Sequence, residues 1–210
     1  EWLNDQWLFR LDVEQFQSLA KDITDDYRKL PQFTASWIGD DVWMGVRPIV
    51  TSQLSHFDVN TERVTGQRFF NELGITRPMR WASGFLTPTL KYRSVQYELD
   101  RPLLPLDTSP SAGSLTGSVD GGLIFERQTT MAGAAMTQTL EPRVYYLFSE
   151  YDEQPYQPNF DSAELTFSYG QLYRDTRFSG HDRLDDANHL STGVTTRFFD
   201  NETGEERLNA

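Results

Sequence analysis

Three histidines, His56, His181 and His189, are the side chains best suited to proton transfer near neutral pH. Two of them flank a run of carboxylates, Asp182, Asp185 and Asp186. Serine is plentiful, so a nucleophile with a histidine base is available in composition, but no nucleophile-elbow pattern surrounds any serine. The histidine–aspartate cluster could hold a cation, yet its spacing fits neither an EF-hand loop nor a zincin helix. A solvated loop held by local hydrogen bonds is the simpler reading. Nothing resembles a nucleotide-binding P-loop, and with no cysteine the span forms neither disulfides nor cysteine–zinc sites. The expectation is a protein without catalytic residues, cofactor or metal. Its acidic balance, a formal net charge of -12, argues against nucleic acid as a partner.

The ionisable residues sit instead in a two-residue rhythm. From Thr137 to Phe148 the even positions give Leu140, Pro142, Val144, Tyr146 and Phe148, and the odd ones begin Thr137, Thr139, Glu141 and Arg143. A period of two is a β-strand with one apolar and one polar face. The same pattern predicts a first strand over about Trp7 to Phe16 and a polar loop holding Lys21, Asp22, Asp25, Asp26, Arg28 and Lys29. A second strand sets Phe33, Ala35 and Trp37 against Gln32, Thr34 and Ser36, ending at a Gly39-Asp40-Asp41 turn. Val42, Met44, Val46, Pro48 and Val50 form one face of a third, and Phe69, Leu73 and Ile75 of a fourth. Leu86, Pro88, Leu90 and Tyr92 start a fifth, whose parity then slips to Val95, Tyr97 and Leu99. A bulge near Ser94 would explain the slip. Further strands carry Leu115, Val119, Leu123 and Phe125, then Thr137 to Phe148, then Leu190, Val194 and Phe198, with a ninth after the Asn201–Gly204 turn. Pro48, Pro88 and Pro142 fall inside strands and should each interrupt one ladder hydrogen bond.

Connections near 39–41, 78–84, 128–135 and 200–205 are short, and those near 20–30, 58–66, 100–114 and 149–188 are longer and more acidic. Strict alternation puts all short turns at one end of the sheet. That arrangement predicts an all-β, antiparallel up-and-down transmembrane β-barrel segment of eight to nine strands. No stretch approaches the length of a transmembrane helix, and alternating barrel strands average as polar. A soluble sandwich or lipocalin-like barrel shares the pattern. Facing away from lipid in the membrane reading are Arg47, Arg68, Glu72, Lys91, Arg93 and Arg197, with other charges of both signs. The 149–188 connection holds Leu165, Phe167, Tyr169, Leu172, Tyr173 and Phe178, too apolar for a free loop. It is expected to fold back over the barrel mouth, tied down by ion pairs from Arg174, Asp175, Asp182 and Arg183. Both termini read as cut points within a longer protein, with residues 1–210 a single piece of barrel.

Several segments are specific enough to place the chain. Thr137-Gln138-Thr139-Leu140-Glu141-Pro142-Arg143, Asn159-Phe160-Asp161-Ser162 and Leu172-Tyr173-Arg174-Asp175 come in that order. Arg177-Phe178-Ser179-Gly180-His181-Asp182-Arg183, Asp186-Ala187-Asn188 and Gly193-Val194-Thr195-Thr196-Arg197 follow. Together they resemble the LPS-assembly outer-membrane protein family (LptD, also called OstA or Imp), sharply over about Phe125 to Arg207 and more loosely upstream. The resemblance implies a barrel of 26 strands in the bacterial outer membrane, closed around a plug lipoprotein, LptE. It implies delivery of lipopolysaccharide from a periplasmic bridge protein, reached through an N-terminal jellyroll domain missing from this segment, and release among outer-membrane lipids through a seam elsewhere in the barrel. Generic porins and soluble carbohydrate-binding β-domains are the alternatives.

Overall fold

The computed structural model describes residues 1–15, 27–100, 108–131 and 133–210. Its strands are β1 (Trp2–Leu3), β2 (Trp7–Glu14), β3 (Arg28–Ile38), β4 (Arg47–Asp58), β5 (Gly66–Thr76) and β6 (Met79–Trp81). They continue with β7 (Gly84–Leu99), β8 (Ser111–Leu123), β9 (Phe125–Met131), β10 (Ala134–Ser149), β11 (Ala187–Asp200) and β12 (Glu206–Asn209). All belong to one antiparallel sheet in the order β1-β2-β3-β4-β5-β7-β8-β10-β11-β12, with β6 beside β7 and β9 beside β10. The sheet is not closed on itself.

Twelve segments reduce to the expected nine strands and the short β1, because two pairs are single strands broken by proline. Thr76 pairs with Thr89 and Met79 with Leu86, so β5 and β6 keep one register across a gap at Arg77–Pro78 opposite Pro88. β8 and β9 keep one register against β10 across Ile124, beside Pro142. Each ring nitrogen lacks a ladder donor, and the interruption stays local because the strands on either side hold their pairing.

Cross-strand partners sort the side chains onto two faces. Phe33, Leu54, Phe69, Gln96 and their partners share one face, as do Leu73, Tyr92 and Leu115. Leu11, Phe33, Leu54, Phe69, Leu73, Leu90, Leu115, Val119, Val144, Phe148 and Leu190 on this face are each between 41% and 63% exposed. The opposite face buries Gln53, Ser55, Arg68, Arg93, Ser114, Thr116 and Thr139. An apolar face left open and a polar face covered is the reverse of a soluble domain. Connections alternate as expected, with 150–186 the longest.

Four expectations need correction. No bulge occurs near Ser94: β7 pairs without a shift to β5 through Leu99 and to β8 through Gln96. The register shifts lie elsewhere, among them one between Lys29 and Gln32. Val95, Tyr97 and Leu99 are the polar face continued, turned apolar because they pack under the long loop with Tyr27, Phe57, Val59, Phe70, Ala112, Phe160 and Leu184. Val42 to Val46 is not strand but a tight turn, with Met44 and Gly45 at positive φ and the Val46 amide bonded to the Trp43 carbonyl. Arg28 and Lys29 belong to β3, not to a loop, and β8 begins at Ser111. Phe16, the loop residues 21–26, the 101–107 part of the 100–114 loop and Ala132 lie outside the described residues.

The unshifted register is testable, since the chain has no cysteine of its own. In the folded protein, Gln96→Cys should react with a maleimide and Val95→Cys, at a position with 0% exposure, should not. Equal labelling, read by mass, would restore the bulge.

Candidate functional site: a loop tied to the polar face

The connection 150–186 lies on the polar face near the long-loop end, and the residues that could hold it were placed by strand parity. Arg68, Gln53 and Tyr97 are on β5, β4 and β7, and all point to the same side. The Arg68 side chain, with 0% exposure, donates from Nη1 to Asp161 (2.6 Å) and Asp182 (2.7 Å) and from Nη2 to Gln53 (2.9 Å) and Asp161 (3.1 Å). Its guanidinium carbon lies 4.8 Å above the Phe57 ring, and its Nε has no partner. Asp182 also accepts from the Tyr97 hydroxyl at 2.9 Å and from the backbone amides of Phe160 and Asp161. Lys29 approaches Asp161 at 3.4 Å, so two cations from the sheet meet two carboxylates from the loop.

A second junction repeats the scheme. Asp175 takes Lys91 at 2.9 Å and Arg93 at 2.6 Å, while Glu72 takes the same two cations from within the sheet. A third is aromatic: Arg143, bidentate on Asp120, lies 4.0 Å from the Tyr173 ring. Tyr173 and Tyr169 end a 3-10 helix, Tyr169–Tyr173, that seats on Gly193, where a Cβ would collide with both hydroxyls. Gly180 is required twice over, by a φ of +63° and by Asp161 atoms 2.5 Å from where its Cβ would stand.

The sequence-predicted residues therefore divide. Arg68, Glu72, Lys91, Arg93, Arg143, Asp175, Gly180 and Asp182 meet around the loop. Arg183 helps, but by donating to the Pro158, Gln157 and Asp182 carbonyls and not through an ion pair. Arg174 forms no ion pair among the described residues, so its expected tie is corrected: its side chain borders the cavities beside the loop. At a distance from the loop, Thr137 bonds Asn201, Gln138 bonds Arg127 and Thr196, and Thr139 bonds Glu141, which Arg197 approaches at 3.5 Å. Leu140 is on the apolar face, and Asn188 accepts from Tyr146. Arg47 pairs with Asp41 beside a short turn. Sequence reasoning missed Tyr97, Gln53 and the stack of His181 on Phe70 (3.9 Å between centroids). Only Tyr97 had announced itself, through the parity change.

Burial has electrostatic consequences within the loop. Burial first, then the charge of Arg68, lowers His181 to about 4 from 6.5. For Asp161 burial is the largest influence and would raise the pKa, but the Arg68 hydrogen bond and charge, with Lys29, outweigh it and lower it to about 2. Asp175 is likewise lowered against its burial by Arg93 and Lys91.

An open antiparallel wall with an exposed apolar face and a loop packed on its polar face defines a segment of an up-and-down β-barrel. The chain matches the family described as LptD: LPS transport system D over residues 1–210. It is 36% identical over its whole length to an LPS-assembly protein LptD of Hahella chejuensis, covering 27% of that protein. A Pseudomonas aeruginosa relative of the same name is 36% identical over 93% of the chain, covering 25% of the relative. One from Xanthomonas oryzae is 44% identical over 71%, covering 19% of the relative. The chain belongs to the LptD family, and it spans about a quarter of the length of the curated relatives it matches.

Two outcomes follow for the loop. Arg68→Ala leaves Asp182 without its counter-charge and Asp161 with Lys29 alone, a loss of about 3–5 kcal/mol. Limited proteolysis should then cut within 150–186 while the sheet stays intact; an uncut loop would show that the ion cluster is not what holds it. An imidazole held below its ordinary pKa stabilises the docked loop fully above pH 6.5 and loses that contribution as the pH falls toward 4. Asp161, also lowered, gives its contribution above 3.8 and loses it toward pH 2. Acid-induced loop release should therefore have an early phase between pH 6.5 and 4 that His181→Phe removes, measured by proteolysis at each pH. Persistence of that phase in the variant would assign it to another group.

Proposed function

We propose that this chain is a wall segment of the outer-membrane barrel that inserts lipopolysaccharide into the outer leaflet. It contributes transport surface and no catalysis, as one continuous piece of barrel over residues 1–210. The open apolar face meets lipid, and the polar face turns to a hydrated lumen: Arg47 and Arg197 stand open to it, while Arg68, Glu72, Lys91 and Arg93 face it from beneath the loop. Such a lumen lowers the cost of carrying a sugar-phosphate headgroup past hydrocarbon. The full-length protein would close its remaining strands, to 26 in all, around a plug lipoprotein (LptE) and receive substrate from a periplasmic bridge.

The observation that carries this reading is how the aromatics are sorted. All five tryptophans, Trp2, Trp7, Trp37, Trp43 and Trp81, stand at or beside the short turns. Toward the other end the outward-facing aromatics are Phe69, Tyr92, Tyr146 and Phe148, all on the open apolar face. A bilayer has two interfaces that amphipathic rings prefer, and barrels carry aromatic girdles there. A soluble partner covering the apolar face would impose no such end-to-end order. The relatives' name, LPS-assembly protein, supports the substrate.

In cells making the full-length protein, a photo-crosslinker at Thr195 on the polar face should capture lipopolysaccharide, and one at Phe125, outward near the short-turn end, should not. Equal capture at both, or none at any polar-face position in growing cells, would remove the transport reading. Deleting 160–185 should raise permeability to large antibiotics, because the loop covers the polar face; unchanged permeability would show that it does not obstruct the lumen.

A further inference from the structure

The apolar face is not uniformly convex. Two adjacent cross-strand rows, Ile75–Leu90–Gly117–Phe148 and Pro88–Val119–Tyr146, border a groove of about 390 Å³. Gly117 makes the hollow, since it is the one position in its row without a side chain. At the short-turn end of the groove stands Arg77, in the ladder gap opposite Pro88. By strand parity Arg77 follows Leu73 and Ile75 onto the apolar face, near the interface, where a cation is tolerated and lies within reach of lipid phosphates.

Among the described residues nothing anionic meets it. Arg77 Nε donates to the Met44 carbonyl at 2.8 Å, which fixes the guanidinium against the 42–46 turn. Among the described residues its head has no carboxylate partner, in a chain that carries an excess of twelve negative charges. The turn that holds it presents Val42, Trp43 and Met44 at 60–74% exposure, as an interfacial segment would. From Arg77 the groove crosses three inter-strand steps to β10, about 14 Å at the usual strand spacing. With the strands tilted about 40° from the membrane normal, that path descends about 9 Å, within one leaflet's hydrocarbon half-thickness of about 15 Å.

We propose that this groove seats one acyl chain of a glycerophospholipid in the leaflet at the short-turn end, with Arg77 holding its phosphate. The proposal rests on the membrane reading above and adds a built lipid site to it. The phosphate supplies the charge that Arg77 lacks, the Met44 carbonyl orients the guanidinium toward it, and the chain covers Leu90, Val119 and Phe148.

Native mass spectrometry of the full-length protein, released from detergent with limiting phosphatidylglycerol, tests it. The wild type should retain one lipid, and Arg77→Gln should hold it about tenfold more weakly, the loss of one charge-assisted contact. Gly117→Leu should displace the chain and weaken retention similarly. A Cβ there would stand 3.8 Å from Leu90, so the substitution fills the groove without disturbing the backbone. A diacylglycerol with the same chains should bind no better to wild type than to Arg77→Gln, and inorganic phosphate should not compete. Retention unaffected by either variant, or displacement by inorganic phosphate alone, would overturn the site. Failure of the wild type to insert into bilayers would instead overturn the membrane reading, and the groove's occupant with it.

Discussion

One guanidinium has given up water entirely, and the arrangement of the long loop follows from that. Burying a charge costs several kcal/mol unless partners replace its hydration, and Arg68 recovers it from Asp161, Asp182 and Gln53 at once. Those partners come from a β-strand and two points of the loop 21 residues apart, so the loop must be folded for the charge to be compensated. Asp182 extends the demand to Tyr97 and to two backbone amides. An apolar patch would tolerate sliding, but a fork of donors tolerates little.

The sign of the charges is consistent across both ionic junctions. The sheet provides Lys29, Arg68, Lys91 and Arg93, and the loop provides Asp161, Asp175 and Asp182. Each junction balances two cations with two carboxylates, Glu72 completing the second. Without the loop, the upper polar face would be a cationic strip. The loop is therefore held by charge complementarity, and with it in place both junctions stay near neutral.

Much of this was legible in residue order. Nine strands, their faces and the alternation of short and long connections follow from the period of two, because every wall residue meets one of two solvents. The apolar content of the loop, Leu165, Phe167, Tyr169, Leu172, Tyr173 and Phe178, pointed to it as structured. What failed did so for physical reasons. Val42, Met44 and Val46 alternate like a strand but are apolar because they crown a turn, where Met44 adopts a positive φ. The parity change after Tyr92 looked like a bulge because period alone assumes that each face keeps one environment. Which cation met which carboxylate was not readable, since Arg68 and Asp182 lie 114 residues apart.

That parity change also measures the wall. Along β7, Leu86, Pro88, Leu90 and Tyr92 point outward and are apolar; from Ser94 the outward positions become Ser94, Gln96 and Glu98, and the inward ones turn apolar beneath the loop. An unbroken ladder through this point means that the environment changes and the strand does not. Trp81, paired with Gly84, marks the other limit. Eight residue steps from Gly84 to Tyr92 at about 3.3 Å each span roughly 26 Å along the strand, or about 20 Å vertically at a tilt near 40°. An outer-membrane barrel's apolar band is about 25 Å tall with its aromatic girdles beyond it. In the proposed membrane setting the strand would leave hydrocarbon where its outward residues become polar, and at that height the inner face is closed by the loop.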